Sequence, residues 1–169
     1  IPEVKDKEEW ANLKTGAWCY YNNDPETVSE NGKLYNWYAV NDKRGLCPAG
    51  WEVPGWQFER LIEDLGGRDK VEKRIKSTNL IAPERIVLNT SYFPAPNNLN
   101  RIYDGSWTKD NFFVWWCLLG YKYDFYSNGR KFTSHGTYGY NTNGRWRLMH
   151  DYSSLDNTGL PVLCVKTNK

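Results

Sequence analysis

Apolar residues recur at helical spacing in two early stretches of this chain. In VPGWQFERLIEDLGG, Phe58, Leu61, Ile62 and Leu65 follow one another at i, i+3, i+4 and i+7, after Pro54 and before Gly66-Gly67. That spacing puts four apolar side chains on one face. The proline suits a first turn and the glycines suit a C-terminal cap, so an amphipathic helix is predicted over 54–67. In LYNWYAVND, Leu34, Trp37, Tyr38 and Asn41 repeat with the same period, which predicts a shorter helix. DKVEKRIKS adds a further turn or two, its Val71 and Ile75 being too few to demand a long buried face.

From about residue 85 the period changes. RIVLNT, SWTKDNFFVWWCLLGYKYDFY, GRKFTSH, GTYGY, GRWRLM and LPVLCVK are short aromatic or β-branched runs separated by Gly, Asn and Asp. Such punctuation predicts strands joined by polar loops. Helices followed by strands make an α+β fold. The first thirty residues are polar, and NNDPE (22–26) reads as a turn. No internal repeat, heptad array or long linker divides the 169 residues, so 1–169 is read as a single domain.

Composition changes the picture in one respect. Nine Trp, twelve Tyr and six Phe supply much of the apolar volume, which suits either a thin core edged by water or a recognition surface. The net charge is +2 and its basic residues are interleaved with acids, as in KDKEE and ERLIEDLGGRDKVEKR. Nucleic-acid binding would call for a stripe of unopposed Lys and Arg, so that class is set aside. No apolar run approaches the roughly 18 residues of a membrane span. The chain begins at Ile1 rather than Met, which fits removal of a signal segment or trimming. Four cysteines (19, 47, 117 and 164) contain no CxxC pair and accompany only two histidines, so a zinc site is not supported. Their even number suits disulfides in an oxidising compartment.

GKLYNWYAV, RGLCPAGWEVP and the ending VLCVK resemble the Fibrobacter succinogenes major paralogous domain, as do EEWANLKTGAWCYYNNDP and YDGSW…VWWC. The likeness covers nearly the whole chain. Departures from the family's usual residues fall at Glu52, Gly55-Trp56, Asn97-Asn98 and Cys117. The resemblance implies a C-type-lectin-like fold, related to that of formylglycine-generating enzymes. Its expected features are two early helices, a twisted, mainly antiparallel sheet, long irregular loops, and N- and C-terminal strands side by side. It also implies a Cys47–Cys164 disulfide; a bridge over so long a loop would remove roughly 5 kcal/mol of unfolded-state freedom. Cys19 and Cys117 are then the remaining pair, and the sequence leaves open whether they bridge. The family setting is the bacterial exterior: secreted or surface-displayed, including lipoproteins anchored by lipid ahead of the domain.

On that scaffold Tyr35, Trp37, Tyr38 and Trp51 are expected to be packed. Catalysis is not expected. Formylglycine-type chemistry needs a redox-active cysteine arrangement near the C-terminus, where only Cys164 stands. No motif frames His135 with Asp124, or His150 with Asp151, as a nucleophile's base. Calcium is the candidate metal, through NND (22–24) and YDGS (103–106), but turn formation explains those residues equally well and no cofactor is required. Residues 121–157 alternate Tyr, Asn, Ser, Gly, Arg and His, the composition of antibody binding loops. The expected exposed recognition set is Tyr126, Asn128, Arg130, His135, Tyr138, Tyr140, Asn141, Asn143 and Trp146, with a protein or carbohydrate at the cell surface as ligand. The alternatives are a structural or adhesion module of a larger surface assembly, and a retroelement-diversified variable protein of the kind lectin-like folds host.

Overall fold

The computed structural model describes residues 1–28, 32–55, 63, 66–67, 70, 86–88, 98–110, 112–118, 122–127, 130–135, 137–141, 146–149 and 155–166. Among the described residues two short α-helices lie early, α1 (Lys7–Ala11) and α2 (Trp37–Val40). Asp6 caps α1 by accepting from the Glu9 amide at 2.8 Å, and Asn36 caps α2 through the Ala39 amide at 3.0 Å. An Asp or Asn at this position satisfies an amide that the first helical turn leaves unbonded. The predicted helix at LYNWYAVND is therefore shorter than expected, because Leu34 and Tyr35 form a strand ahead of the cap. The helix predicted over 54–67 lies largely outside the described residues. Its predicted end is described: the Gly66 amide donates to the Glu63 carbonyl at 2.9 Å, and Gly66 and Gly67 have φ of 94° and 89°. NNDPE forms its turn, with Asn22 and Asn23 left-handed at φ 52° and 57°.

Among the described residues twelve strands make small sheets, and each strand pair is antiparallel. β1 (Trp18–Cys19) pairs with β2 (Leu34–Tyr35), and β5 (Asn98–Arg101) with β6 (Trp107–Asp110). β8 (Lys122–Ser127) pairs with β9 (Arg130–His135). One three-stranded sheet has the order β11 (Trp146–Met149), β10 (Thr137–Asn141), β7 (Phe112–Trp116). The other places β12 (Leu163–Lys166) between β3 (Trp51–Glu52) and β4 (Ile86–Leu88). The architecture is α+β. The last strand lies beside β3 and β4, whereas the N-terminal stretch pairs through Glu3 with Trp18, so the two chain ends are not neighbouring strands among the described residues.

The C-terminal stretch sews these sheets together. Gly159 bridges Arg101 of β5, Leu160 bridges Tyr35 of β2, and Val162 bridges Trp116 of β7, before β12 pairs with β4 and β3. Cys164 of that stretch is disulfide-bonded to Cys47, 117 positions earlier. One core cluster forms around it from Tyr35, Ala39, Val40, Val53, Trp116 and Leu160, with Trp18, Trp37 and Trp51 packed alongside. Of the early aromatics expected to be packed, Tyr35 is in the core and Trp37 and Trp51 pack against it half-buried, whereas Tyr38 lies outside both clusters.

A second cluster holds Val4, Trp10, Ala17, Cys19 and Leu34, and its polar neighbour is Arg101. Arg101 is 1% exposed. Its guanidinium donates to the carbonyls of Gly105, Val4, Lys5 and Asp6 at 2.8–3.2 Å, and it sits 4.5 Å from the Trp10 ring and 4.7 Å from the Trp107 ring. Desolvating a charge is costly, but four charge-assisted bonds and two ring faces offset the cost. Gly105 makes the arrangement feasible. It turns the β5–β6 hairpin at φ +80°, and a Cβ there would lie 2.3 Å from the Lys7 carbonyl oxygen.

Arg101→Gln is expected to destabilise the fold by about 3 kcal/mol or more, because carbonyls aimed at a guanidinium lose their donors. Arg101→Lys should recover little of this, since an ammonium cannot span the same fork between two rings. Urea unfolding of the three proteins checks both expectations.

Candidate functional site

The late segment is organised as a hairpin and a sheet hung from the core. In the β8–β9 hairpin Ser127 stands opposite Arg130 and Tyr126 opposite Lys131. The two residues between the strands are Asn128-Gly129, a dipeptide favoured in two-residue hairpin turns. In the β7–β10–β11 sheet Tyr138 stands between Trp115 and Leu148, and Tyr140 between Phe113 and Trp146. Because strand residues alternate faces, Tyr138, Tyr140 and Trp146 occupy positions on one face, while Asn141, opposite Phe112, belongs to the other. Asn128 and Asn143 lie outside the described residues. Backbone register thus brings Tyr138, Tyr140 and Trp146 together, and it sets Tyr126 and Arg130 on the separate hairpin.

His135 is not exposed, contrary to expectation. It is 4% exposed, its ring stacks on Trp37 with centroids 4.0 Å apart, and Nε2 meets Asp156 Oδ1 at 2.5 Å. Its carboxylate partner is Asp156 rather than the Asp124 considered from sequence. The physical reason is its position. His135 ends β9 where the hairpin meets the core, and a flat ring with one polar edge fills the space over Trp37 while Asp156 satisfies the nitrogen. Trp37 also packs against Trp116, whose Nε1–H donates to the Tyr35 carbonyl at 2.6 Å.

Asp156 is the junction of this cluster. Its backbone carbonyl accepts from the Trp37 amide at 2.9 Å, and Oδ2 accepts from the Tyr38 hydroxyl at 3.2 Å. Burial and then the adjacent Asp156 carboxylate push the Tyr38 phenol up to about 12, since each penalises the phenolate. Neither Asp156 as the partner of His135 nor Tyr38 as a partner of Asp156 stood out in the sequence. A carboxylate among SSLDN gives no periodic signal, and the contact spans 21 residues.

The cysteines divide as the resemblance implied for one pair. Cys47 and Cys164 are bonded, whereas Cys19 and Cys117 are buried thiols not joined by a disulfide. Burial raises the Cys19 thiol to about 11, partly countered by its hydrogen bond with Arg101. The acids of the two calcium candidates serve their own turns. Asp24 accepts from the Glu26 amide at 3.0 Å. Asp104 accepts from the Ser106 amide at 2.8 Å and the Ser106 hydroxyl at 2.6 Å, which holds its carboxyl below the usual range. Among the described residues no group of three or more His, Cys, Asp or Glu side chains is placed to hold a metal, and no helix is long and apolar enough to cross a membrane.

A disulfide-tied α+β domain of small antiparallel sheets, with an aromatic-polar late segment, is the class these features define. Residues 1–166 match the family model of the Fibrobacter succinogenes major domain, and the chain belongs to that family. No curated protein and no solved structure matches it.

The Tyr38 phenol gives a prediction with a definite sign. An unfolded tyrosine ionises near its ordinary value of about 10, whereas the folded chain keeps the Tyr38 proton until about 12. Its contribution to stability is therefore complete below the lower value and is lost as pH rises between the two. NMR titration of isotope-labelled tyrosine rings, with Tyr38→Phe assigning the signal, should show this late midpoint. Asp156→Asn should move it down without restoring the ordinary value, because burial remains.

Proposed function

We propose that this chain is a non-catalytic binding domain of the bacterial exterior. On this reading it has a C-type-lectin-like scaffold and recognises a protein or glycan through its late aromatic-polar strands and loops. The observation that carries the reading is the register of the β7–β10–β11 sheet, which sets Tyr140 beside Trp146 on one face. Trp115 belongs to the same face nearer the C-terminal seam and is buried at 3% exposure. The far end of that face, with Tyr140 and Trp146, is therefore the recognition surface in this reading. Aromatic rings present large contact area at low entropic cost, and the Asn, Ser and Gly residues around them supply adaptable hydrogen bonds.

Other features support the rest. A disulfide closing most of the chain suits an oxidising compartment outside the cytoplasm. Cys164 is engaged in that bridge, and the His135–Asp156 pair is spent on fastening, with the histidine side chain 3% exposed and closed to a substrate. Both features favour a role without catalysis. No metal or cofactor is assigned in this reading, since the Asp24 and Asp104 carboxylates already serve their turns. Early helices and a last strand that closes the core are what a lectin-like scaffold would provide.

A glycan array probed with the full chain tests the reading. Loss of binding in Tyr140→Ala and Trp146→Ala, with unchanged thermal unfolding, is the expected result. Stable self-association that buries this face would instead make it a permanent contact of a surface assembly, and unaltered binding in both variants would remove the site.

A further inference from the structure

The rings of Trp18 and Tyr20 and the ammonium of Lys33 gather at one end of the β1–β2 pair. Trp18 stands opposite Tyr35 and Cys19 opposite Leu34, so the register carried one step further sets Tyr20 against Lys33. Tyr20 is still extended there, at φ −85° and ψ 158°. Cys19 and Leu34 belong to the second core cluster, and alternation puts Trp18, Tyr20 and Lys33 on the other face. All three are half-buried. Trp18 is fixed from three directions. It packs on the first core cluster, its Nε1–H donates to the Ile1 carbonyl at 3.2 Å, and Tyr20 meets it edge-on with centroids 5.1 Å apart.

The charge in this corner is unopposed. Lys33 Nζ lies 3.8 Å from the Trp18 ring centroid and 6.0 Å from that of Tyr20, and among the described residues neither a carboxylate nor a hydrogen-bond acceptor meets it. The Glu3 carboxylate pairs with Lys5 instead, at 3.6 Å. The Tyr20 hydroxyl likewise bonds to no described residue. A half-buried ammonium gives up part of its hydration. Ring faces return only some of that, since they offer no lone pair to its three N–H groups. An anion on the outer side of the ammonium would complete those bonds, with the Tyr20 ring beside it as an apolar surface. A pyranose that carries a carboxylate supplies both halves: oxygens for the ammonium, and a flat C–H face for the ring. Because the strand pair and the Trp18 contacts hold the rings in place, little freedom is lost on binding.

We infer that this corner of Trp18, Tyr20 and Lys33 is a binding site for an acidic sugar. It goes beyond the function proposed above and uses none of the same residues, so either can fail alone. Complementary charge favours this occupant over a neutral sugar. The two rings favour it over an acidic peptide, whose carboxylates stand on narrow, flexible stems.

The test follows the Trp18 indole N–H signal of the full chain by NMR, with Trp18→Phe assigning it. The chain is titrated with a galacturonate trimer and, in parallel, with the trimer's methyl ester, which keeps the sugar skeleton and lacks the charge. A saturable shift with the first that weakens with added salt, and little shift with the second, is expected. Lys33→Gln should weaken binding about tenfold, while Lys33→Arg keeps most of it, which separates lost charge from lost packing. No shift of the Trp18 signal, an equal shift with the ester, undiminished affinity in Lys33→Gln, or tighter binding of an oligo-aspartate would each overturn the inference. Loss of binding in both Lys33 variants together with lowered thermal unfolding would overturn it too, leaving Lys33 a structural role alone. Trimer binding that depends on Tyr140 and Trp146 but not on Lys33 would overturn it and leave the proposed function standing. Dependence on Lys33 alone, with no array binding through Tyr140 and Trp146, would keep this site and remove that face.

Discussion

Backbone pairing along residues 159–166 is the constraint on which the rest of the structure depends. A short, nearly extended stretch exchanges hydrogen bonds in turn with Arg101, Tyr35, Trp116, β4 and β3. Two-stranded sheets of two to six residues are marginal by themselves. Here each gains a neighbour in the same stretch or packs on the core that the stretch closes. The Cys47–Cys164 bridge then limits how far this seam can drift in the unfolded chain. Loss of the seam would leave the helices and hairpins without a shared core.

Arg101 does comparable work for the N-terminal part with different chemistry. No carboxylate among the described residues forms an ion pair with it; its guanidinium is held by main-chain oxygens of the segment it fixes. Such a bond set depends on backbone path rather than on side-chain identity along residues 4–6. Trp10 is held twice, by Arg101 over its ring and by the Asn157 carbonyl at its Nε1–H, 2.6 Å away. The two fastening systems meet at Gly159, whose amide and carbonyl pair with Arg101.

What was legible in the sequence followed physical pattern. The late strands could be read because alternation and turn residues mark a half-buried strand locally, and β4 and β6 through β12 match those runs to within one residue. The α1 helix was not read: KEEWA offers one large apolar residue, Trp10, and its true signal was the capping Asp6 ahead of it. β5 was also missed, because NLNR offers one apolar residue, Leu99, among polar ones. It becomes a strand through tertiary partners, with Asn100 and Arg101 buried by bonds that no periodicity announces. For the site, the grouping of Tyr138, Tyr140 and Trp146 comes from strand register and not from the sequence, and His135 was misjudged. A lone histidine in a polar stretch gives no sign of a ring stacked beneath it from a hundred residues earlier.

The seam fixes both ends of the late segment to one place. Trp116 leaves the core where its amide meets the Pro161 carbonyl, and the chain returns through Leu155 and Leu160, both buried. Between these points the described residues form β8 to β11, held to that root by His135 over Trp37 and by the pairing of β10 with β7. For a flexible loop, closure entropy grows only with the logarithm of length, by about 0.6 kcal/mol for each doubling. Residues added in the connections between these strands therefore tax the scaffold lightly. The same root can present very different outer surfaces without being rebuilt.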